Sequence, residues 1–488
     1  MKRVIFLAAL ALLLVLGLSS CDEREVFVFA ETEGGVYLKD YRGDGGAVVV
    51  PSEYEGKPVV AIGDLAFANT AELREVTLSD GVAIGKYAFS NCPRLEKVTV
   101  LGDVTELAEG AFYGCASLSA FDASSVCEIP DYCFYNCSSI KEIVLGNGIE
   151  RIGERAFFGC ESLDSLKIGG DSLTYIGACA LSGASVSLDL SEHKIKTLAK
   201  NAFSGYVGEA LILPDSIESA EGEAFFGCTA EIVFGRSENL VFPEGFFNGF
   251  LGELIDLTSF LGDVGSGAFV GAEAEIVFGE SGQTVIGERA FADYKGESIT
   301  IPKTVTSIGK NAFVGAECAI VFADGSALTV VGEYAFVEWK GSTVKLPNGV
   351  TEIGAYAFAG CNGIAELPIS DGLVSIGEGA FASCMRITNI ELPDSVKSIG
   401  SGAFAGMRYL KTAHLGYGIE VIAEELFSGC LNLETVGFGS SVTRIEADAF
   451  LDCSQLYEVL FRGEKSDWEK ISIADDDTIL YATIVYVK

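Results

Sequence analysis

Fourteen cysteines, two histidines and a file of evenly spaced glutamates are the residues here whose types could do chemistry. Nine of the cysteines recur at one place in a repeated sentence: Cys92, Cys115, Cys137, Cys160, Cys228, Cys361, Cys384, Cys430 and Cys453. Thiolates are nucleophiles and metal ligands, and thiols pair into disulfides. No C-x-x-C spacing occurs, so zinc or thioredoxin-like chemistry has no footing. Elsewhere the same place carries Thr70, Tyr206, Phe250, Ala272, Tyr294, Ala316, Trp339 and Met407. A place that accepts Cys, Ala or a large aromatic is a packing site, where free Cys acts as a small buried hydrophobe. Neighbours such as Cys115 and Cys137 would stack one copy apart, with parallel Cβ directions that suit a disulfide poorly. Reduced, buried thiols are expected. Cys127, Cys133, Cys179 and Cys318 fall outside the column and stay unassigned.

The glutamates are Glu209, Glu231, Glu253, Glu275 and Glu297, each 22 residues from the next. In a stacked repeat they would form a file of carboxylates about one strand spacing, ~4.8 Å, apart. One alignment of the copies points them outward. The other puts them in the core, where like charges would be buried at great cost. The outward alignment is preferred. Outward carboxylates could hold a hard cation such as calcium; the simpler reading is a solvated acidic stripe.

Two histidines, His193 and His414, leave little room for general-base or metal chemistry. There is no G-x-S-x-G elbow, no phosphate-binding loop, no H-E-x-x-H and no EF-hand loop. No catalytic residue, resident metal or cofactor is assigned, and a non-enzyme is expected. The formal charge of −36 argues against nucleic acid and against adsorption to anionic lipid through a basic patch.

The chain opens on Lys2 and Arg3, an apolar run from Val4 to Leu18, and then Ser19-Ser20-Cys21. A basic start, a short apolar run and small residues read as an export signal rather than a spanning helix. Leu18-Ser19-Ser20-Cys21 resembles the bacterial lipobox, which implies removal of 1–20 and acylation of Cys21. Lipid would then be the only membrane attachment, since no later stretch is long and apolar enough to span a bilayer.

The elements that must position these residues come from one repeat. Its mark is Phe67, Phe89, Phe112, Phe134, Phe157, Leu181, Phe203, Phe225, Phe247, Phe269, Phe291, Phe313, Phe336, Phe358, Phe381, Phe404, Phe427 and Phe450, in steps of 22 to 24. The shared skeleton is V-x-x-I-G-x-x-A-F-x-G-C-x-x-L-x-x-V-x-L. A unit this short cannot bury its own apolar face, so stacked units must share a core. The L-x-x-V-x-L part suits a short strand, parallel to its equivalents in the next copies. The I-G-x-x-A-F-x-G part suits a turn with a short helical or 3-10 character, in which Gly159 permits a left-handed backbone. The expected fold is mainly β: a leucine-rich repeat solenoid of about 18 coils with parallel strands and short helical/3-10 turns.

From Phe203 to Phe336 the copies shorten to 22 or 23 residues, and the side chain three after the Phe alternates large and small: Tyr206, Cys228, Phe250, Ala272, Tyr294, Ala316, Trp339. Large beside small is interdigitated packing.

The pattern over about 50–462 resembles the BspA-like leucine-rich repeat family of surface lipoproteins, chiefly in the I-G-x-x-A-F-x-G-C segment. The stretch from Phe27 to Asp64 resembles the family's entry segment, and the stretch from Phe461 onward, with Trp468, its exit. The expected organisation is a signal peptide at 1–20, a linker and entry cap at 21–50, the solenoid at 51–462 and a closing cap at 463–488. The resemblance implies a bacterial surface protein, adhesin-like, engaging a host or neighbouring-cell protein or glycan. The location expected is the cell envelope, at the outer membrane or the cell surface. A passive spacer lipoprotein is the alternative, and an enzyme with an unrecognised site a further one.

Overall fold

A computed structural model of the chain describes residues 26–280, 282–474 and 478–487. It is a mainly β, parallel-strand solenoid of about 19 turns with almost no helix. The chain divides into two compact units, one ending at Val186 and one starting at Ser187.

Each coil has a strand side and a turn side, and the turn side explains the repeat. The Phe rings are buried and stacked coil on coil, as Phe67, Phe89, Phe112, Phe134 and Phe157 in the first unit, with centroids 5.0–5.5 Å apart and ring planes within 11°. Leu181 keeps the place buried where Phe is absent. In the second unit the stack runs from Phe203 to Phe450, with spacings between 4.8 and 5.9 Å. That spacing matches parallel strands at about 4.8 Å, so one translation serves backbone and side chain alike.

Around each Phe the backbone alternates in hand. The residue two before it and the residue two after it have positive φ in every copy: Arg155 at 49° and Gly159 at 74° around Phe157, Tyr356 at 54° and Gly360 at 71° around Phe358. This alternation turns every second N–H toward the next coil. Arg155, Phe157 and Gly159 donate to the carbonyls of Ala178, Ala180 and Ser182 at 2.8–3.1 Å. The residues between them donate back three places within their own coil, as Ala156 does to Gly153 and Cys160 to Phe157. Those short bonds have the 3-10 span, but the reversals of φ stop them from propagating, so the segment is a succession of turns. A non-glycine residue with positive φ costs roughly 1–2 kcal/mol. The inter-coil bond that each one makes offsets part of that cost.

On the strand side of the first unit, Ala120–Ala123, Glu142–Leu145 and Ser165–Ile168 pair in parallel, with Ile143 opposite Leu166 facing the core. Shorter strands flank the turns, as in Glu128–Ile129, Arg151–Ile152 and Tyr175–Ile176. An antiparallel hairpin, Phe27–Thr32 with Gly35–Tyr41, comes first among the described strands of the unit. Its Tyr41 ring lies 4.8 Å from Phe67 and its N–H takes the Ala66 carbonyl, which closes both the ring stack and the amide ladder.

The second unit has one long-strand sheet from Leu188–Asp189 to Ala319–Phe322 and another from Asn389–Glu391 to Thr483–Val487. At its close, a four-residue helix, Lys465–Trp468, brings Trp468 within 5.4 Å of Phe461 and 6.0 Å of Phe438.

Truncating one ring tests this architecture. Phe358→Ala removes a fully buried ring that stacks on Phe336 and Phe381 and should destabilise its region by about 3–5 kcal/mol. Hydrogen exchange should show the loss centred on the coils at 336–404, because a solenoid couples nearest neighbours. Equal loss of protection throughout the second unit would contradict that picture.

Candidate functional site

The nine-cysteine column is buried, and all thirteen described cysteines are free thiols. The column does more than fill space. Cys92, Cys115, Cys137 and Cys160 place Sγ 3.0–3.2 Å from the carbonyls of Phe67, Phe89, Phe112 and Phe134, and Cys361, Cys384, Cys430 and Cys453 repeat the contact at 2.9–3.2 Å. The carbonyls of Phe67, Phe112, Phe134, Phe336, Phe358 and Phe427 therefore accept an amide from their own coil and a thiol from the next. The sequence showed the packing but not this bond, because the acceptor lies one coil away. Three of the unassigned cysteines also find places. Cys133 takes the small position before Phe134, half-exposed Cys179 takes a positive-φ position, and Cys318 lies beneath Trp339, whose indole N–H donates to its carbonyl at 3.0 Å. Cys127 is exposed.

Burial pushes the thiols up, to about 11 for Cys92 and about 12 for Cys160, Cys228, Cys384 and Cys430. The neutral thiol is a poor nucleophile. The column is thus a set of structural donors, kept unreactive by the same burial that makes them useful.

All five glutamates are exposed, as the outward alignment requires. They do not form one file, however. Strands begin seven residues after Phe203, Phe247 and Phe291, at Ala210, Leu254 and Ser298, but six after Phe225, Phe269 and Phe313, at Glu231, Glu275 and Ala319. Glu231 lies opposite Ala210 and Glu275 opposite Leu254. Glu209, Glu253 and Glu297 sit one residue ahead, where their carbonyls accept the N–H of Glu231, Glu275 and Ala319 at 2.8–3.0 Å. Two interleaved files result, each with members two coils apart, at about 9.6 Å by strand spacing.

The cause is the large–small alternation. Phe250, Tyr294 and Trp339 lie over the glycines two residues on; a Cβ at Gly296 would be 2.1 Å from the Tyr294 hydroxyl, and one at Gly341 1.9 Å from the Trp339 ring. The bulky side chain lengthens the path to the strand by one residue. It also bonds back to the previous, small-residue coil: Tyr294 Oη donates to Ala274 O at 2.6 Å. A constant 22-residue spacing therefore hides a structural period of two coils.

Among the described residues, no group of three His, Cys, Asp or Glu side chains is placed to hold a metal ion. His193 is buried. His414 lines a hollow of about 320 Å³ with Glu391, Asp394 and Tyr417, and its Nε2 is 3.8 Å from Glu391. No Ser, Thr, Cys or Lys lines that hollow. Cys21 lies outside the described residues.

Charge is relieved both between coils and within them, the latter as in Arg155–Glu154, Arg236–Glu238 and Arg444–Glu446. Arg74–Glu96, Lys86–Glu109, Lys196–Glu218, Lys310–Glu333 and Lys340–Glu317 bridge consecutive coils at 2.7–3.2 Å. These exposed pairs each contribute little, about 0–1 kcal/mol. An aromatic ladder on the turn side was not apparent from the sequence: Tyr113, Tyr135 and Phe158 stack at 4.7 and 5.1 Å, each directly following a core Phe. Its sequence signal was a ring at one repeat place in three successive copies.

The chain belongs to the BspA-type leucine-rich repeat family: the model described as "BspA type Leucine rich repeat region (6 copies)" matches residues 60–188, 196–321 and 329–457. No curated protein matches it significantly. The solved structures it resembles include a leucine rich cell surface protein from Faecalibacterium prausnitzii, 21% identical over 93% of this chain and 97% of that one, with a TM-score of 0.37. A leucine-rich repeat protein from Bacteroides ovatus is 23% identical over 95% and 98%, with a TM-score of 0.38. One from T. pallidum is 26% identical over 47% and 88%, with a TM-score of 0.29. Proteins of the BspA type are typically bacterial cell-surface proteins. No helix among the described residues is long and apolar enough to cross a membrane.

The buried thiols set an alkaline limit. Below about pH 8.5 the thiols are neutral in both folded and unfolded chains, and titration leaves stability unchanged. Above it the unfolded chain releases protons that the folded chain keeps, so stability falls as pH rises toward about 12. The unfolding midpoint should drop between pH 8 and 10.5, and a Cys160→Ala variant should lose less over that interval than the parent. Equal pH slopes for the two proteins would show that this thiol is not held neutral by burial.

Proposed function

We propose that the protein is a lipid-anchored binding scaffold of the bacterial envelope, adhesin-like, engaging a protein or glycan of a host or neighbouring cell. The observation that carries this reading is the repeat itself. Most large apolar side chains are buried, and the strands turn polar residues outward, as with Glu96, Lys97 and Thr99. Such a surface suits a macromolecular partner rather than a small substrate. Leu18-Ser19-Ser20-Cys21 supports the anchor.

The anchor is tested by fatty-acid labelling. The full chain should take up label and Cys21→Ala should not; label in both would reject acylation at this residue. Binding is tested by titrating purified protein against matrix proteins and glycans, where a saturable signal is expected.

The two glutamate files act in this reading as a solvated acidic face. Glu253→Gln should change stability by no more than about 0.5 kcal/mol. Calcium should raise the unfolding temperature only as much as sodium chloride of equal ionic strength. A saturable calcium effect that disappears when Glu231, Glu253 and Glu275 all become Gln would make the face a cation site.

A further inference from the structure

The long-strand side of the second unit is interrupted. Ala319–Phe322 ends one sheet and Asn389–Glu391 begins the next. The two coils between them supply segments 342–346 and 364–369, which join neither sheet. On the opposite side the short strands pair without a break, Val330 with Glu352, Glu352 with Ser375 and Ser375 with Ser398. The Phe rings of the same coils stay 4.9–5.9 Å apart. The coils are therefore held at normal spacing on one side while the sheet stands open on the other.

A groove of about 840 Å³ occupies the opening, lined by Ile320–Phe322, Ser342–Lys345 and Ile364–Ile369. Val344 and Leu367 stand where neighbouring coils carry the buried Ile299 and Ile390, yet both are only half-buried and line this groove.

One residue contributes to the break. Pro368 lies ten residues after Phe358, the place that Glu391 holds within a paired strand after Phe381. Proline has no N–H to give to a ladder and is confined to edges. The Leu-Pro pair of this coil arrives two residues earlier than Leu392-Pro393 of the next.

We propose that this opening receives an extended peptide segment of a protein partner by strand addition. The inference rests on the reading of the protein as an interaction scaffold and names the partner's form. Main-chain groups of 342–346 and 364–369, which make no strand pairing, ask for another main chain rather than for a lipid or a sugar. Ile320, Val344, Leu367 and Ile369 ask for apolar side chains at every second position of the incoming segment. Lys345 and Glu366 put one charge of each sign at the groove, so recognition here does not depend on a basic partner, in spite of the chain's net charge of −36.

The test uses the full-length chain. Hydrogen exchange should find 342–346 and 364–367 exchanging much faster than 319–322 and 389–391. Protection equal to that of the flanking strands would mean the sheet is closed and would overturn the proposal. The probe is a fluorescent peptide reproducing residues 139–148, SIKEIVLGNG, which contains the paired strand Glu142–Leu145 of this fold. Fluorescence anisotropy should show saturable binding that changes little with salt and weakens at least tenfold when proline replaces Val144 in the peptide. Pro368→Thr, which restores the missing donor at a place that is itself buried, should slow exchange at 364–367 and also weaken binding tenfold or more. Leu367→Lys, which puts charge in the groove without rebuilding the ladder, should abolish binding while exchange there stays fast. Absence of peptide binding, or equal binding by the proline peptide, would sink the groove. A macromolecular partner that binds the parent and Pro368→Thr equally would sink the groove and leave the scaffold reading standing.

Discussion

Everything in this molecule depends on matching one translation. Neighbouring coils must be one strand spacing apart for their backbones to bond, and the Phe rings happen to stack at the same distance. On the turn side the match is achieved by alternating the hand of the backbone around each Phe, so that the N–H groups at Arg155, Phe157 and Gly159 all reach the following coil. A buried coil with those donors unmet would lose about 1–3 kcal/mol for each, on top of the strain of positive φ. The repeat therefore tolerates tyrosine, arginine and glutamate in a conformation usually left to glycine.

The cysteines belong to the same constraint. A Phe carbonyl has two lone pairs, and its own coil supplies only one donor. The thiol of the next coil supplies a second donor at eight of the nine column cysteines, Cys228 instead facing Ala230; at Ala272 and Ala316 none is available from that side chain, and the large residue of the next coil bonds instead to the strand carbonyl nearby, as Tyr294 does to Ala274. Cys and the aromatic–alanine couple are thus two ways of packing one position. The second lengthens every other coil's path to its strand, which splits the glutamates into two files. Surface chemistry on one side of the solenoid is decided by core volume on the other.

The same logic explains where the fold fails to close. The amide ladder and ring stack run through the coils at 336–404 unbroken, so those coils remain in place. Their strand side opens where Pro368 lacks a donor. A solenoid can carry such an opening because each coil is anchored on two sides. A single-sheet domain would lose its register.

The sequence by itself determined the family, the coil count to within one, the parallel strands, the buried Phe and Cys columns and the outward direction of the glutamates, since each is a matter of residue type at a fixed period. It could also show Gly159 as a left-handed position, but not Arg155, because nothing in an arginine marks positive φ. Only the tertiary structure decided the thiol-to-carbonyl bonds, the aromatic ladder of Tyr113, Tyr135 and Phe158, the alternating register behind a constant 22-residue spacing and the open groove at Val344 and Leu367. Each of these depends on which residue of one coil lies beside which residue of the next. That offset is set by side-chain volume and missing donors in three dimensions, and a count along the chain averages it away.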